Sequence, residues 1–363
     1  MKKLLSILLA VLLALTCIPF AFAEDAEPAQ TPDCIKWEVS FDKEEYGLFD
    51  TALATVTMTN TSEKMLIDVK AQVYAAGLEC SKDITELGTI GVGVSRTFTV
   101  RLKLSSEASG LNFLAKILLK IYEFFNMITG KNSVQNVEII PISSFETSVN
   151  FGWGGKRDIK LSANYDVFEN QPDSIEAAVE AYNKAAAASA DIATNGYMTL
   201  ESVSSEVLQK YISMLRNVIS NTVTSDNTLP GNPPLTADDV SAASINSNNG
   251  KTKIVLVLKD QEDDYLGNHR NGDQVTRGIG TLGDFRRGFE EVGEYTANPD
   301  DTAFTYTYPV INVVVNDATG KIVSGNWSYC LTMRIDKAVL KLGKTEVDFD
   351  KMEIVMYSVI VRK

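Results

Sequence analysis

"YGLFDTALATVTMTNTSEKMLIDVKAQV", residues 46–73, decides how the first half of this chain is read. Within it Ala54, Val56 and Met58 alternate with threonines, and Ile67, Val69, Ala71 and Val73 alternate with charged or polar residues. A period of two puts every second side chain on the same face of an extended backbone, so each run predicts a half-buried strand. Working outward, "IKWEVSF" (35–41) alternates at Trp37, Val39 and Phe41, and "RTFTVRLKL" (96–104) at Phe98, Val100, Leu102 and Leu104. "VEIIPI", "FETSVNFGW" and "RDIKLSANYDV" carry the β pattern on to residue 167. Short alternating strands separated by Gly, Asn and Ser predict an antiparallel sandwich.

The same stretch, followed by "LGTIGVGVSRTFTVRLKL" (87–104), resembles the Ig-like adhesion modules of bacterial surface proteins, the CARDB type. In those modules an extended strand ends in a T-N-T turn, here Thr59-Asn60-Thr61. A later L-G-x-I/L-x-x-G-x-S turn, here Leu87 to Ser95, leads into the last strand. The resemblance covers residues 35–104 and implies a spacer or docking module, with no catalytic residues to carry over.

The chain begins with Lys2 and Lys3, the apolar run "LLSILLAVLLAL" and the small-x-small site Ala21-Phe22-Ala23. This predicts a secretory signal peptide over 1–23, cleaved after Ala23, and a secreted, extracellular protein. The residues before Cys17, Ala14-Leu15-Thr16, fit a lipobox poorly. Residues 24–34 read as an acidic linker. The whole chain carries 34 Lys and Arg against 47 Asp and Glu, a net charge of −13. Such a balance argues against nucleic acid, whose phosphates require clustered cations. Cys34, Cys80 and Cys330 lie beyond the cleavage site; a Cys34–Cys80 bridge and unpaired thiols both stay open.

"GLNFLAKILLKIYEFFNMITG" (110–130) interrupts the β pattern. At 100° per residue, Asn112, Lys116, Lys120 and Glu123 form a narrow polar strip. Phe113, Leu114, Ile117, Leu118, Ile121, Phe124, Phe125 and Ile128 cover the rest. Three charges inside the run argue against a membrane span. The stretch therefore predicts an amphipathic helical insertion over 108–130 in an Ig-like sandwich of residues 35–165. It is either packed between protein layers or, over 111–128, in peripheral contact with a membrane.

Residues 166–363 predict an α+β domain of two helices against a curved antiparallel sheet. "PDSIEAAVEAYNKAAAASA" opens with Asp173 and Glu176 at capping-box spacing, and Ile175, Ala178, Val179, Tyr182 and Ala186 form a helical stripe. "TLESVSSEVLQKYISMLRNVISNTV" is periodic at Val207, Leu208, Tyr211, Ile212, Leu215, Val218 and Ile219. Strands follow at "KIVLVLK", 304–315, 321–335 and 351–361, with "NDATGK" (316–321) as a hairpin turn. In the strand after it, Val323, Trp327, Tyr329, Leu331, Met333 and Ile335 are expected on the apolar face. Ser324, Asn326, Ser328, Cys330, Thr332 and Arg334 are expected on the other.

Chemistry-bearing residues are sparse. The one histidine, His269, has no evident partner, which disfavours His-based zinc sites and catalytic triads. Gly278, Gly280 and Gly283 spell G-x-G-x-x-G, but the polar sequence before them is not the buried strand a dinucleotide site needs. "DQEDDY" (260–265) lacks the calcium-loop pattern and reads as a solvated acidic loop. Phe304, Tyr306, Tyr308, Trp327 and Tyr329 lie on one hairpin, where aromatic side chains most often glue a core. The whole chain resembles uncharacterised secreted proteins of Gram-positive bacteria.

The expectation is an exported, non-enzymatic protein without cofactor or metal, of adhesion or scaffold type. It would bind an extracellular protein or polysaccharide through its Ig-like module. Two alternatives remain: a carrier of an apolar ligand in a cavity lined by Tyr182, Tyr211, Trp327 and Tyr329, and an unrecognised hydrolase.

Overall fold

The computed structural model describes residues 34–47, 49–105, 143–205, 209, 212–213, 216, 219, 223–263, 273–281, 294–297, 302–342 and 345–363. The expected signal peptide, the apolar segment 108–130 with its Phe113, Leu114, Ile117, Leu118, Ile121, Phe124 and Phe125, and Tyr211, His269 and Gly283 lie outside these residues. Residues Cys34–Lys363 form one compact unit. It is mostly β, with several antiparallel sheets and few helices.

The strands read from residues 46–73 appear as β2 (Thr51–Asn60) and β3 (Leu66–Ala75), in separate sheets. β2 lies in a four-stranded sheet ordered β1-β2-β6-β4, with β1 at Ile35–Phe41, β4 at Leu78–Cys80 and β6 at Ser95–Leu104. β3 lies in a second, ordered β5-β3-β8-β7, with β5 at Ile84–Ile90, β7 at Ser143–Asn150 and β8 at Lys156–Val167. Both sheets are antiparallel, and alternate residues of each enter one shared core that includes Trp37, Met58, Val69, Phe98 and Leu161. Asn60 ties the two turns of the motif together. Its Nδ2 donates to the Lys64 and Ile90 carbonyls at 2.8 and 3.0 Å, and its carbonyl accepts from Gly93 N–H.

Cys34, Cys80 and Cys330 are free thiols. The first two cannot meet, because β1 and β4 are opposite edges of their sheet with two strands between them. At about 4.8 Å per strand their separation far exceeds the 4.4–6.8 Å that a disulfide spans.

The rest of the chain builds a nine-stranded antiparallel sheet along the path β10-β9-β17-β16-β15-β12-β11. Its strands are β9 (Thr194–Val203), β10 (Val223–Asp226), β11 (Val240–Asn248), β12 (Lys251–Leu258), β15 (Thr302–Asn316), β16 (Lys321–Leu342) and β17 (Thr345–Arg362). The short β13 (Gln261–Asp263) and β14 (Glu294–Ala297) pair with β15 and β16. Helix α1 (Ile175–Ala188) covers one face and buries Ala178, Val179, Tyr182, Ala185 and Ala186 against it. The expected capping box at Asp173 does not form: a 3-10 turn at Pro172–Ser174 leads in, with no side-chain cap. Gln209, Ile212, Ser213, Arg216 and Ile219 are helical, but the periodic segment starts later than its pattern suggested, because Thr199–Val203 belongs to β9. β9 is held by non-local pairing with β17, which local periodicity does not encode.

The hairpin at 316–321 forms as expected. Asn316 pairs with Lys321, the Asn316 Oδ1 accepts from Ala318 and Thr319 N–H, and Gly320 takes φ +66°. Beyond it the pairing slips between Val314 and Val315, opposite Ser324 and Ile322. The bulge leaves Val323 exposed and gives its apolar place to Ile322, a correction to the expected alternation.

A second correction concerns the opposite face of β16. Asn326, Ser328 and Cys330 are buried there, because this side of the large sheet is covered by the sheets of the first region. Ile67 and Phe168 pack with Val255 and Val310 at one place, while Cys330, Tyr357 and Val359 cluster at another.

Candidate functional site

Between these two packed places, β3 and β5 face β12, β15, β16 and β17 across a cleft of about 230 Å³. Its floor is the outer face of the large sheet: Asn312, Val314, Ser324, Gly325, Asn326 and Val361. Asp68, Lys70 and Glu86 form the wall, and Lys253 and Arg362 also line it. Cross-strand pairing explains this convergence, since Asn312 is the register partner of Asn326, Asn326 of Val361, and Lys70 of Glu86.

Asp68 is delivered by an irregular strand. β3 slips against both neighbours around it, and Asp68 takes φ +53°, a left-handed conformation that aspartate tolerates better than most residues. Its Oδ1 accepts from Asn326 Nδ2 at 3.1 Å. Lys70 Nζ sits 3.8 Å from Asp68 and 3.5 Å from Glu86, and Lys253 pairs with Asp166. Counting Asp166, three acids face three bases, so the cleft is close to neutral in a chain that is strongly acidic overall.

Burial pushes the Asp68 and Glu86 carboxyls above their ordinary range, with Lys70 opposing the shift in both. A carboxyl that holds its proton more tightly when folded favours the native state fully below its unfolded pKa. That contribution is lost as pH rises through the folded value. The stability of Glu86→Gln relative to the wild type should therefore increase with pH from about 4.5 upward. Urea midpoints across a pH series check this; a difference that stays flat or shrinks contradicts it.

Beside the cleft runs a seam of enclosed polar contacts. Arg96 is 1 % exposed and lies over the Tyr357 ring, 3.8 Å from its centroid. The Tyr357 hydroxyl accepts from Thr89 N–H at 2.6 Å. Glu201 accepts from Thr97 N–H at 2.8 Å and from the Thr199 hydroxyl at 3.1 Å. Burial raises the Glu201 carboxyl, and nearby Arg96 opposes the shift.

The aromatic residues proposed from sequence lie elsewhere. Tyr182 and Trp327 are wholly buried, with Trp327 Nε1 donating to the Tyr182 hydroxyl at 3.2 Å. Tyr306 and Tyr329 meet edge to face with centroids 5.0 Å apart. All four belong to the core under α1, and burial pushes the Tyr182 and Tyr329 hydroxyls up to about 12. Tyr308 departs from this group, being 40 % exposed at a bulge of β15 with φ +51°.

Gly278 closes a short helix, α2 (Gln274–Gly278), so here a helix precedes the glycines, whereas a dinucleotide site has one after them. A Cβ on Gly278 would stand 2.6 Å from Leu258 Cδ1, which makes close packing the reason for this glycine. The acidic stretch is less solvated than its composition suggests. Gln261 and Asp263 are buried, and Gln261 Oε1 accepts from Val275 and Thr276 N–H. Among the described residues no group of three or more His, Cys, Asp or Glu could hold a metal ion, and no helix is long and apolar enough to cross a membrane.

The cleft was missed from sequence because its residues come from five strands. One signal was present: the supposed outer face of β16 carries Ser324, Asn326, Ser328 and Cys330, small side chains with no charge among them. A solvated strand face would be expected to carry charged side chains.

No protein-family model and no curated protein sequence matches the chain. Among solved structures it is similar to Spo0M, a sporulation control protein from Bacillus subtilis. That similarity spans 80 % of this chain and 82 % of the other, at 9 % identity and a TM-score of 0.16.

Proposed function

We propose that this is an exported, non-enzymatic binding protein of adhesion or scaffold type. In this reading the two four-stranded sheets are an Ig-like sandwich carrying the helical insertion 108–130. The module is fused to an α+β domain and recognises an extracellular protein or polysaccharide. The observation that supports it is the cleft where the two meet. Polar side chains converge there from β3, β5, β12, β15, β16 and β17, on a floor fixed by the ladders of a nine-stranded sheet. Lys70 lies between Asp68 and Glu86 and engages both carboxylates, which suits a fixed binding surface better than a free general base.

The test is saturable binding of the full chain, immobilised on a sensor, to surface polysaccharide and surface protein prepared from bacteria. Lys253→Glu, which reverses a charge at the cleft, should abolish binding to the preparation that binds. Unchanged binding in Lys253→Glu would remove the cleft from the reading.

One observation favours a hydrolase as the second reading, since Asp68 and Glu86 both retain protons and share a cleft. Release of reducing ends or free amines from those preparations, abolished by Asp68→Asn, would establish it.

A further inference from the structure

The geometry points to a neutral, hydroxyl-rich ligand in this cleft, a single uncharged saccharide unit, recognised by the paired carboxamides of Asn312 and Asn326. This inference rests on the reading of the cleft as a binding site and names its ligand class. Both asparagines are 4 % exposed, and both carry an Oδ1 that no protein group satisfies. For Asn326 the orientation of the amide is fixed, because its Nδ2 donates to the Asp68 carboxylate and its Oδ1 must point the other way.

A buried acceptor without a donor costs on the order of 1–3 kcal/mol, so two side by side on adjacent strands call for a common partner. The space they border is the cleft, and its 230 Å³ exceeds what one ion or water fills. What enters must supply donors to the two carboxamides. It must also accept from Lys253, Arg362 and Ser324, which line the same space.

A hydroxyl group is both donor and acceptor, so a ring of hydroxyls meets such a mixed lining at every position. An anion would face Asp68 and Glu86, and a cation would face Lys70, Lys253 and Arg362. The balance of these charges favours a ligand with none. Val314 and Val361 supply the apolar floor on which the C–H face of a sugar ring can rest.

The experiment is titration calorimetry of the full chain with a panel of neutral hexoses and N-acetylhexosamines. Glucuronate, glucosamine and free amino acids form the parallel arms. A neutral sugar should bind with one-to-one stoichiometry. Asn312→Leu and Asn326→Leu should each weaken it about tenfold or more, as expected for a lost buried hydrogen bond. The unliganded variants should melt no lower than the wild type, because an unsatisfied oxygen is replaced by an apolar group of similar size. If Asn326→Leu perturbs the Asp68 contact enough to unfold the chain, Asn312→Leu still carries the test. Binding confined to the charged sugars or amino acids, or neutral-sugar affinity unchanged in both variants, would overturn the assignment. Failure of every sugar alongside a Lys253→Glu-sensitive partner would end the saccharide assignment and leave the binding reading standing. Partner binding indifferent to Lys253→Glu would end the reading itself.

Discussion

Gly88→Ala should destabilise the protein by about 2–5 kcal/mol, and adding Tyr357→Phe should restore part of that loss. Gly88 holds φ +64°, where any Cβ carries a strain of about 1–2 kcal/mol. The added carbon would also stand 2.5 Å from the Tyr357 hydroxyl, 3.1 Å from Val359 Cγ2 and 3.2 Å from Ser328 Cβ. All three belong to the large sheet, so this glycine sets how closely β5 approaches it. Displacing Tyr357 would break its bond with Thr89 N–H and uncover the Arg96 guanidinium stacked on its ring. Removing the hydroxyl takes away the nearest obstacle, so the two substitutions should be strongly non-additive in a double-mutant cycle of urea midpoints. Additive effects would mean that the sheets do not meet at this point.

The same glycine shows how far the sequence could be read. Its place in the turn-rich stretch before β6 was evident, and so was the alternation that made β1, β2, β3 and β6 half-buried strands. Those signals are local, and each strand carries its own pattern. Why residue 88 must be glycine was not legible, because Tyr357 lies 269 positions away and the contact exists only after both sheets have formed. The cleft obeys the same logic, since Asp68 and Asn326 are separated by 258 positions. β9 and β11 escaped for a related reason: their partners β17 and β12 hold them in the sheet, while their own composition is neutral. The face of β16 that carries Asn326 and Ser328 looked solvated because a polar residue is usually exposed. Here it is buried because a second layer supplies polar partners, Asp68 to Asn326 and Thr89 to Ser328.

Trp327→Ala should cost about 3–5 kcal/mol, whereas Val323→Ala, four residues away and expected from alternation on the same face, should cost no more than about 0.5 kcal/mol. Trp327 is fully buried beneath α1, between Ile311 and Ile360 in the ladder. Truncation leaves a cavity that the flanking strands, held by continuous pairing, cannot collapse to fill. It also strips the Tyr182 hydroxyl of its donor in an apolar surrounding, adding the cost of an unsatisfied group. Val323 stands at the bulge with 40 % of its surface exposed, so its methyls contribute little. Denaturant midpoints of the two variants against the wild type measure the contrast directly. If Trp327→Ala loses less than about 1.5 kcal/mol, the region under α1 is loosely filled and the apolar-cavity alternative regains its footing. A loss in the expected range, with α1 helicity reduced in far-ultraviolet circular dichroism, would tie the helix to this one indole. It would place ligand recognition on the other face of the sheet, where Asn326 sits one residue away on the opposite side of the same strand.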